Sequence, residues 1–516
     1  MVIMKYKYLL FLALAWCVIS CYDDKGNYDY KEINELKISG IEDKVYYEKI
    51  AFVDSLKIYP EIESPWYNDD HERYQFTWKL IPSTADVNVD GDTIDYVVSQ
   101  EKNLILPITE KAGTYRGFFI VSDPGNGISW YKNFYLRVRT LTSEGWMVLC
   151  DKGGESRLDI IFNVNENEDM IAHDLWQELN FRTGKPIKLI NSYRTGGGSA
   201  RLFISEKGTY NMDKLDLHVG EDNNLRWEFG AQPEKVEVRA SGISQFGSQT
   251  SYWIVVDKNG DAYLNDKKIW GSIFDFPINK LEGKTPFVAA PFVGVNYVST
   301  YSGPSVMMYD ETNKQFVEVI DGASYPSVMK FNGTQLFSAQ TGQDMVHLES
   351  TKNGYNYAIL RDPRTGKYFF YGIILNASGK NTQEYYGEVF GPNLDRVKQF
   401  ACHHMYPYLF YAVDNKVYQF DMSHPDREAK EVLSFPGETI QVIKFTAFVA
   451  WEAYKDWERA RNYQLLVATN VEDKDENGCG IVRMYDVPNL MGDLVQKKEH
   501  MGLGKIVDVT YRERDK

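Results

Sequence analysis

The residue best placed for chemistry is Cys21, whose thiol directly follows the small residue Ser20. Two lysines among the first seven residues precede an almost unbroken apolar run, Leu9–Ile19, so the three regions of a secretory signal occur in order. The apolar run is shorter than the roughly 20 residues that a membrane-spanning helix needs. We therefore predict that residues 1–20 are a signal peptide, cleaved before Cys21, and that the Cys21 thiol is acylated.

The four residues Val18-Ile19-Ser20-Cys21 resemble a bacterial lipobox. The alternative is a plain secreted protein whose cysteine stands there by chance. Acyl chains contribute about 0.8 kcal/mol per buried CH₂, so several chains on Cys21 would hold the protein on a membrane that it does not span. Asp23 and Asp24 follow at once, and an acidic patch there resembles the surface-export signal of lipoproteins in diderm bacteria. The predicted location is the outer membrane, lipid-anchored and exposed at the cell surface.

A second group with ligand chemistry is the acidic stretch Asp473–Gly478. It matches the first six positions of a calcium-binding loop, and the oxygens of Asp473, Asp475 and Asn477 suit a hard cation. The twelfth position is Met484, where such a loop carries a bidentate glutamate. A weak Ca²⁺ site is one hypothesis and a solvated hairpin is the alternative; no other cofactor is predicted.

Three cysteines remain in the mature chain, Cys150, Cys402 and Cys479, and this odd number argues against a disulfide framework. We expect buried thiols. Cys402 precedes His403 and His404, which invites a metal-site interpretation. Adjacent residues on a strand point to opposite faces, so both imidazoles would not easily bind one ion, and we predict a structural role.

The chain lacks the usual catalytic signatures, including a GxSxG elbow, an HExxH pair and a phosphate-binding loop. No catalytic residue is therefore predicted. Carboxylates are plentiful, so a glycosidase-type pair stays an alternative that rests on fold analogy alone.

Aromatic residues in connecting segments could instead contact a ligand or a partner protein. The segment that carries Trp451, Tyr454 and Trp457 favours a short helix with these rings on one face. Packing of this face on its own repeat is the alternative. Weaker candidates of the same type are Trp66, Tyr67, Tyr297 and Tyr301.

Charge narrows the class of ligand. The 516 residues carry 57 basic and 72 acidic side chains, a net charge of −15, and lack the basic stripe that marks a nucleic-acid-binding protein. The acidic balance favours neutral or cationic ligands over anionic ones. The length predicts two or more domains.

The elements that position these residues are predicted to be strands. After Ser143 the chain repeats a unit in which an apolar run ends at an acidic or amide turn residue. The turn residues recur every 51 to 56 positions: Asp151, Glu206, Asp257, Asp310, Asp362, Asp414 and Asn470. Apolar runs with little alternation fit strands that are covered on both faces, as in a β-propeller. Residues 142–516 are therefore predicted to form seven blades.

The ends of the repeat region indicate how such a ring closes. In later repeats an additional strand precedes the apolar run, whereas the first repeat lacks one and the C-terminus has a spare strand, Lys505–Tyr511. We predict that Ile506–Tyr511 pairs with Trp146–Cys150 and closes the propeller.

The region before the repeats reads as short strands separated by turn residues, which is typical of a β-sandwich. Within it, CYDDKGNYDYKEINEL at Cys21–Leu36, the FTWKL strand around Trp78 and GTYRGFFIVSDPGNG at Gly113–Gly127 together resemble the PKD-like surface lipoproteins encoded beside SusC/SusD-type outer-membrane importers. The resemblance covers residues 21–140. It implies a lipidated tether over residues 21–36 and an Ig/PKD-like β-sandwich over residues 37–141.

The resulting expectation is an all-β, non-catalytic surface lipoprotein that captures a ligand for, or docks against, a SusC/SusD-type nutrient importer. Its partners would be the membrane, the importer, and an oligosaccharide or peptide, with no nucleic acid. The alternatives are an extracellular polysaccharide hydrolase or lyase on a propeller scaffold, and a purely architectural subunit of the importer.

Overall fold

The computed structural model describes residues 35–64, 73–83, 96–192, 199–244, 252–266, 271–297, 304–376, 380–448 and 455–513. The predictions for Cys21, Trp66, Tyr67, Tyr301, Trp451 and Tyr454 lie outside these residues. The chain divides into two compact units, Met1–Val138 and Arg139–Lys516, which we call the N-terminal and C-terminal units. The division falls close to the predicted domain boundary.

The N-terminal unit is built from short antiparallel strands. These are β1 (Lys37–Ser39), β2 (Tyr46–Ile50), β3 (Ser55–Ile58), β4 (Glu61–Glu63), β5 (Gln75–Pro82), β6 (Val97–Ser99), β7 (Leu104–Pro107), β8 (Gly113–Asp123) and β9 (Ile128–Arg139). A five-stranded sheet has the order β2-β9-β8-β5-β6, and two further pairs are β1-β4 and β3-β7. The pairs and the sheet share one apolar core, which the predicted sandwich requires.

The centre of this core is Trp78 of the FTWKL strand, which is fully buried. Its ring lies 4.4 Å from that of Phe119 and 5.8 Å from that of Phe134, measured between centroids. β8 and β9 form a hairpin, and in its turn the Gly127 N–H donates to the Asp123 carbonyl oxygen at 2.8 Å. The core ring and this turn both lie in the stretches that carry the PKD-like resemblance.

The C-terminal unit is also built from strands. They are β10 (Gly145–Lys152), β11 (Glu155–Asn163), β12 (Asp169–Ala172), β13 (Pro186–Ser192), β14 (Ala200–Ser205), β15 (Gly208–Asn211), β16 (Val238–Ile243), β17 (Tyr252–Asp257), β18 (Ala262–Asp266), β19 (Gly294–Val295), β20 (Ser305–Asp310), β21 (Gln315–Ile320), β22 (Ser327–Val328), β23 (Phe331–Asn332), β24 (Asp344–Ser350), β25 (Tyr355–Arg361), β26 (Tyr368–Ile374), β27 (Asn381–Val389), β28 (Gln399–Cys402), β29 (Tyr408–Val413), β30 (Lys416–Asp421), β31 (Lys430–Ser434), β32 (Glu438–Lys444), β33 (Gln464–Val471), β34 (Gly480–Asp486), β35 (Val495–Leu503) and β36 (Lys505–Arg512). The α-helix α1 (Asp456–Ala460) lies between β32 and β33, in the segment predicted to favour a short helix. Among the described residues, no helix has the length and apolarity needed to cross a bilayer.

The described residues of the C-terminal unit form seven sheets. In chain order we number them 1 to 7: β36-β10-β11-β12, β13-β14-β15, β16-β17-β18, β19-β20-β21-β22, β24-β25-β26-β27-β23, β28-β29-β30-β31 and β32-β33-β34-β35. Each of the seven apolar runs in the sequence repeat forms the second strand of one sheet, counted in the order just given. The repeat therefore predicts the sheets one for one.

Sheet 1 combines the two ends of the unit. β36 pairs antiparallel with β10, and the register places Trp146 opposite Tyr511 and Cys150 opposite Ile506. This confirms the predicted pairing of the C-terminal strand. The strand approaches so closely that a Cβ atom added at Gly504 would lie 2.7 Å from the Cβ atom of Cys150, so only glycine fits at this position.

Apolar clusters join each sheet to the next. Six of the clusters lie between consecutive sheets, from sheets 1 and 2 to sheets 6 and 7. A further cluster joins sheet 7 to sheet 1, with Leu466 and Val482 packed beside Val148 and Ile161. Every sheet in the described part of this unit is therefore covered on both faces, which explains why its second strand is apolar without alternation.

Sheets 2 and 3 have three strands in the described residues, where the repeat length suggests four. Next to β18, the described residues form an isolated bridge between Tyr263 and Pro277 in place of a fourth strand, and proline has no N–H to extend a ladder. The Asn279 side chain replaces part of the missing strand, because its oxygen accepts a hydrogen bond from the Ala262 N–H at 3.1 Å.

Candidate functional site

The first strands of the seven sheets enclose a cavity in the C-terminal unit. Each of these inner strands contacts the inner strand of the next sheet, and β32 contacts β36, which in turn contacts β13. The cavity that they line has a volume of about 660 Å³. This volume lies within the range of ligand pockets, so the cavity is the candidate functional site.

One wall of the cavity carries two lysines and an aspartate. The Lys444 ammonium group lies 3.3 Å from an Asp508 carboxylate oxygen, and the other oxygen accepts the Leu189 N–H at 2.9 Å. Lys188 is nearby, and its pKa is lowered by desolvation and by the positive charges of Lys444 and Arg239. This wall offers both hydrogen-bond donors and an acceptor to a polar ligand.

Of the two predicted aromatic candidates that lie in the described part of the chain, Tyr297 is in the cavity lining. Its side chain packs against two apolar clusters, the one between sheets 7 and 1 and the one between sheets 3 and 4. Burial raises the pKa of its hydroxyl group to about 12, so the phenol stays protonated. The ring combines an apolar surface with a hydrogen-bonding group, which suits stacking against a sugar or a peptide.

The opposite side of the lining contains His347 and Glu349, both on β24. The His347 Nε2 atom lies 3.2 Å from a Glu349 carboxylate oxygen, and the same oxygen accepts the Cys402 N–H at 2.9 Å. Burial raises the pKa of Glu349, but the imidazoles of His347 and His404 outweigh this effect and lower it to about 2. Burial also raises the pKa of the Cys402 thiol. The site therefore holds an ionised carboxylate beside a neutral thiol.

The two neighbouring histidines differ in their hydrogen bonds. His403 Nδ1 accepts the N–H groups of Met405 and Tyr406, so Nε2 carries the proton and donates to the Tyr463 carbonyl oxygen at 3.2 Å. His403 is a satisfied core histidine, which agrees with the predicted structural role. His404 is equally buried, its Nε2 lies 3.8 Å from the second Glu349 oxygen, and its Nδ1 has no hydrogen-bond partner among the described residues.

Of the predicted helical aromatic group, only Trp457 is described, and it lies on α1. Its half-buried ring is covered by the Arg461 guanidinium group, whose central carbon lies 4.5 Å from the ring centroid. Arg461 also donates to the Tyr511 hydroxyl group at 3.3 Å. Trp457 thus packs on a neighbour in its own insertion, which favours the packing alternative, and it is not part of the cavity lining.

The residues of the calcium-loop hypothesis, Asp473, Asp475 and Asn477, lie in an exposed turn between β33 and β34. The Asp475 carboxylate accepts the Asn477 N–H at 2.9 Å, as in an ordinary Asx turn. Glu476 forms an ion pair with Lys505 at 2.9 Å. This arrangement fits the hairpin alternative.

Sequence reasoning missed most of the cavity-lining residues. Lys188, His347 and Lys444 come from the first strands of different repeats, so their positions in the sequence give no hint that they converge. One feature of the sequence could have identified them: each lies in the strand that precedes the apolar run of its repeat.

Comparisons with known proteins support the N-terminal assignment. The model of the PKD-like family matches residues 21–187. No curated protein matches the chain.

Two solved structures show distant similarity. A quinonprotein alcohol dehydrogenase-like protein from Bacteroides thetaiotaomicron has 11% sequence identity, and the alignment covers 88% of this chain and 96% of that chain with a TM-score of 0.38. The WD40 domain of SCAP from fission yeast has 8% identity, and the alignment covers 63% of this chain and 75% of that chain with a TM-score of 0.27. These scores are too low to carry an argument about function. The protein is thus an all-β chain whose N-terminal part is PKD-like.

Proposed function

We propose that the C-terminal unit is a seven-bladed β-propeller closed by its last strand. The support is the order of the seven sheets, the pairing of β36 with β10, and the apolar cluster between sheets 7 and 1. A closed ring leaves no open edge between its first and last blades.

On this scaffold, we propose a lipid-anchored, non-catalytic protein that captures an oligosaccharide or a peptide for a SusC/SusD-type outer-membrane importer. The lipobox-like sequence before Cys21 supports the anchor. The resemblance of residues 21–140 to PKD-like surface lipoproteins encoded beside such importers supports the association with an importer.

The observation that carries the capture function is the cavity of about 660 Å³ enclosed by the inner strands. Its lining combines the aromatic ring of Tyr297 with the charged groups of Lys188, Lys444 and Asp508. A lining with both signs of charge and an aromatic surface suits an uncharged polar or zwitterionic ligand better than a strongly charged one.

Ligand binding by the mature chain, made soluble by Cys21→Ala, tests this function. Calorimetric titration with a panel of neutral oligosaccharides and short peptides is expected to give saturable binding to at least one class. Tyr297→Ala should weaken that binding about tenfold or more, because a buried aromatic anchor is lost. Tyr325→Ala is the matched control, since Tyr325 is exposed and lies outside the cavity lining.

Each contrary outcome points to one alternative. Unchanged binding by Tyr297→Ala would contradict capture in the cavity. New reducing ends or unsaturated sugars during the titration would indicate a hydrolase or a lyase. Binding to no member of the panel, together with co-purification of an importer, would indicate an architectural subunit.

The anchor has a separate test in a diderm bacterial host. Radiolabelled palmitate should be incorporated into the full chain and lost completely in Cys21→Ala, because only a thiol at that position can be acylated. Cys17→Ala is the matched control, since the bulky Trp16 before Cys17 fits no lipobox. Label retained in Cys21→Ala would contradict the proposed anchor.

A further inference from the structure

Four side chains with metal-binding atoms converge beside the cavity. His347 and Glu349 are two positions apart on β24 and therefore point to the same side of the strand. Cys402 ends β28, the inner strand of the next sheet, and His404 follows it by two positions. The ligand atoms of His347, Glu349 and Cys402 all lie within 4.8 Å of one another.

The distances within this group match a tetrahedral ion. With metal–ligand bonds of roughly 2.0–2.2 Å, two oxygen or nitrogen ligands of a tetrahedral zinc ion are about 3.4 Å apart. His347 Nε2 lies 3.2 Å from one Glu349 oxygen, and His404 Nε2 lies 3.8 Å from the other. His347, Glu349 and Cys402 are thus close enough to share one ion, and His404 lies next to them, beside the second Glu349 oxygen.

The surroundings also favour a bound cation. His404 is 2% exposed, and its Nε2 faces the Glu349 carboxylate. Its Nδ1 has no partner in the described residues, so Nδ1 can carry the ring proton and leave Nε2 free to bind an ion. The His347 ring lies between Phe292 and Phe400, with centroid distances of 6.0 and 5.9 Å, which restrict its orientation. An ion here would have thiolate, carboxylate and imidazole ligands, and the two anionic ligands would balance a charge of +2.

We propose that His347, Glu349, Cys402 and His404 form a binding site for a divalent transition metal of the zinc class. A mixed set of nitrogen, oxygen and sulfur ligands selects zinc-like ions over calcium or magnesium, which prefer oxygen alone. Binding releases the proton of the Cys402 thiol to solvent. Because His347 and Glu349 line the cavity, the ion would be reached from it. The site does not depend on which ligand the cavity captures.

Cobalt binding tests the proposal without any assay of activity. The mature full-length chain, carrying Cys21→Ala, is treated with a chelator and titrated with Co²⁺, which reports thiolate coordination by near-ultraviolet charge-transfer absorption. We expect saturation at one ion per chain. Cys402→Ser should abolish this absorption, and His347→Ala should raise the dissociation constant at least about tenfold.

Matched controls use a cysteine and a histidine from elsewhere in the unit. Cys479→Ser and His424→Ala should leave the titration unchanged, since neither residue belongs to the group. Absence of thiolate absorption in the folded parent chain, or its survival in Cys402→Ser, would overturn the proposal. If Cys402→Ser does not fold, the His347→Ala variant provides the test. A Co²⁺ affinity of His347→Ala equal to that of the parent chain would overturn the proposed site.

Discussion

A chain truncated after Gly504 is expected to lose the folded C-terminal unit as a whole, while the N-terminal unit stays folded. The truncation removes β36, which supplies the first strand of sheet 1 and pairs with β10 at seven positions. It also removes Ile506, Val509 and Tyr511, which are all buried in the cluster between sheets 7 and 1. Limited proteolysis should then leave only a fragment of the size of the N-terminal unit.

The size of the loss explains why partial unfolding is not expected. Burial of a large apolar side chain contributes about 1.5–3 kcal/mol, so three such residues account for about 5–9 kcal/mol. The ladder hydrogen bonds add about 1 kcal/mol each. The total is comparable with the whole net stability of a typical protein, which is about 5–15 kcal/mol.

Two comparisons isolate the strand pairing as the cause. Truncation after Glu513 keeps β36 and should leave the thermal transitions of the parent unchanged. A synthetic peptide of residues 505–513, added to the chain that ends at Gly504, should restore protease resistance, because it can pair with β10. A chain truncated after Gly504 that melts like the parent would refute closure by this strand.

The sequence predicted the repeating part of the fold well, because burial on both faces leaves a direct signature. Runs such as Tyr252–Asp257 and Tyr408–Val413 are buried almost throughout, so their apolar residues do not alternate. The spare C-terminal strand was predictable for a similar reason, since a first repeat without an inner strand needs one from elsewhere. Strands β1 and β7 could not be predicted from the sequence one by one, because three or four residues carry too little pattern.

The cavity was not predictable, because its lining depends on how separate repeats converge. The sequence led us to treat Cys402, His403 and His404 as structural, since no second metal-binding motif lies near them in the chain. The structure brings His347 and Glu349, more than 50 residues earlier, beside Cys402 through the packing of two inner strands. Only His403 has hydrogen bonds that explain its burial fully.

The second large effect is expected at Asp159 on β11, which is fully buried. Its carboxylate accepts two hydrogen bonds from Arg157, at 2.7 and 2.9 Å, and one from the Gly504 N–H at 3.0 Å. It therefore ties Gly504, just before β36, to β11. Asp159→Ala should destabilise the C-terminal unit by about 3–5 kcal/mol, because it leaves the buried Arg157 charge without its partner.

Calorimetry of the full chain measures this effect, since unfolding enthalpy scales with size and the larger transition belongs to the C-terminal unit. At roughly 2 cal/mol/K per residue, the expected loss lowers its Tm by about 4–6 °C. The double variant Arg157→Ala/Asp159→Ala should recover part of the loss, because it removes both charges. Asp426→Ala, in an exposed turn, should change stability by less than about 0.5 kcal/mol. A Tm of Asp159→Ala equal to that of Asp426→Ala would show that the buried ion pair does not hold β36 in place.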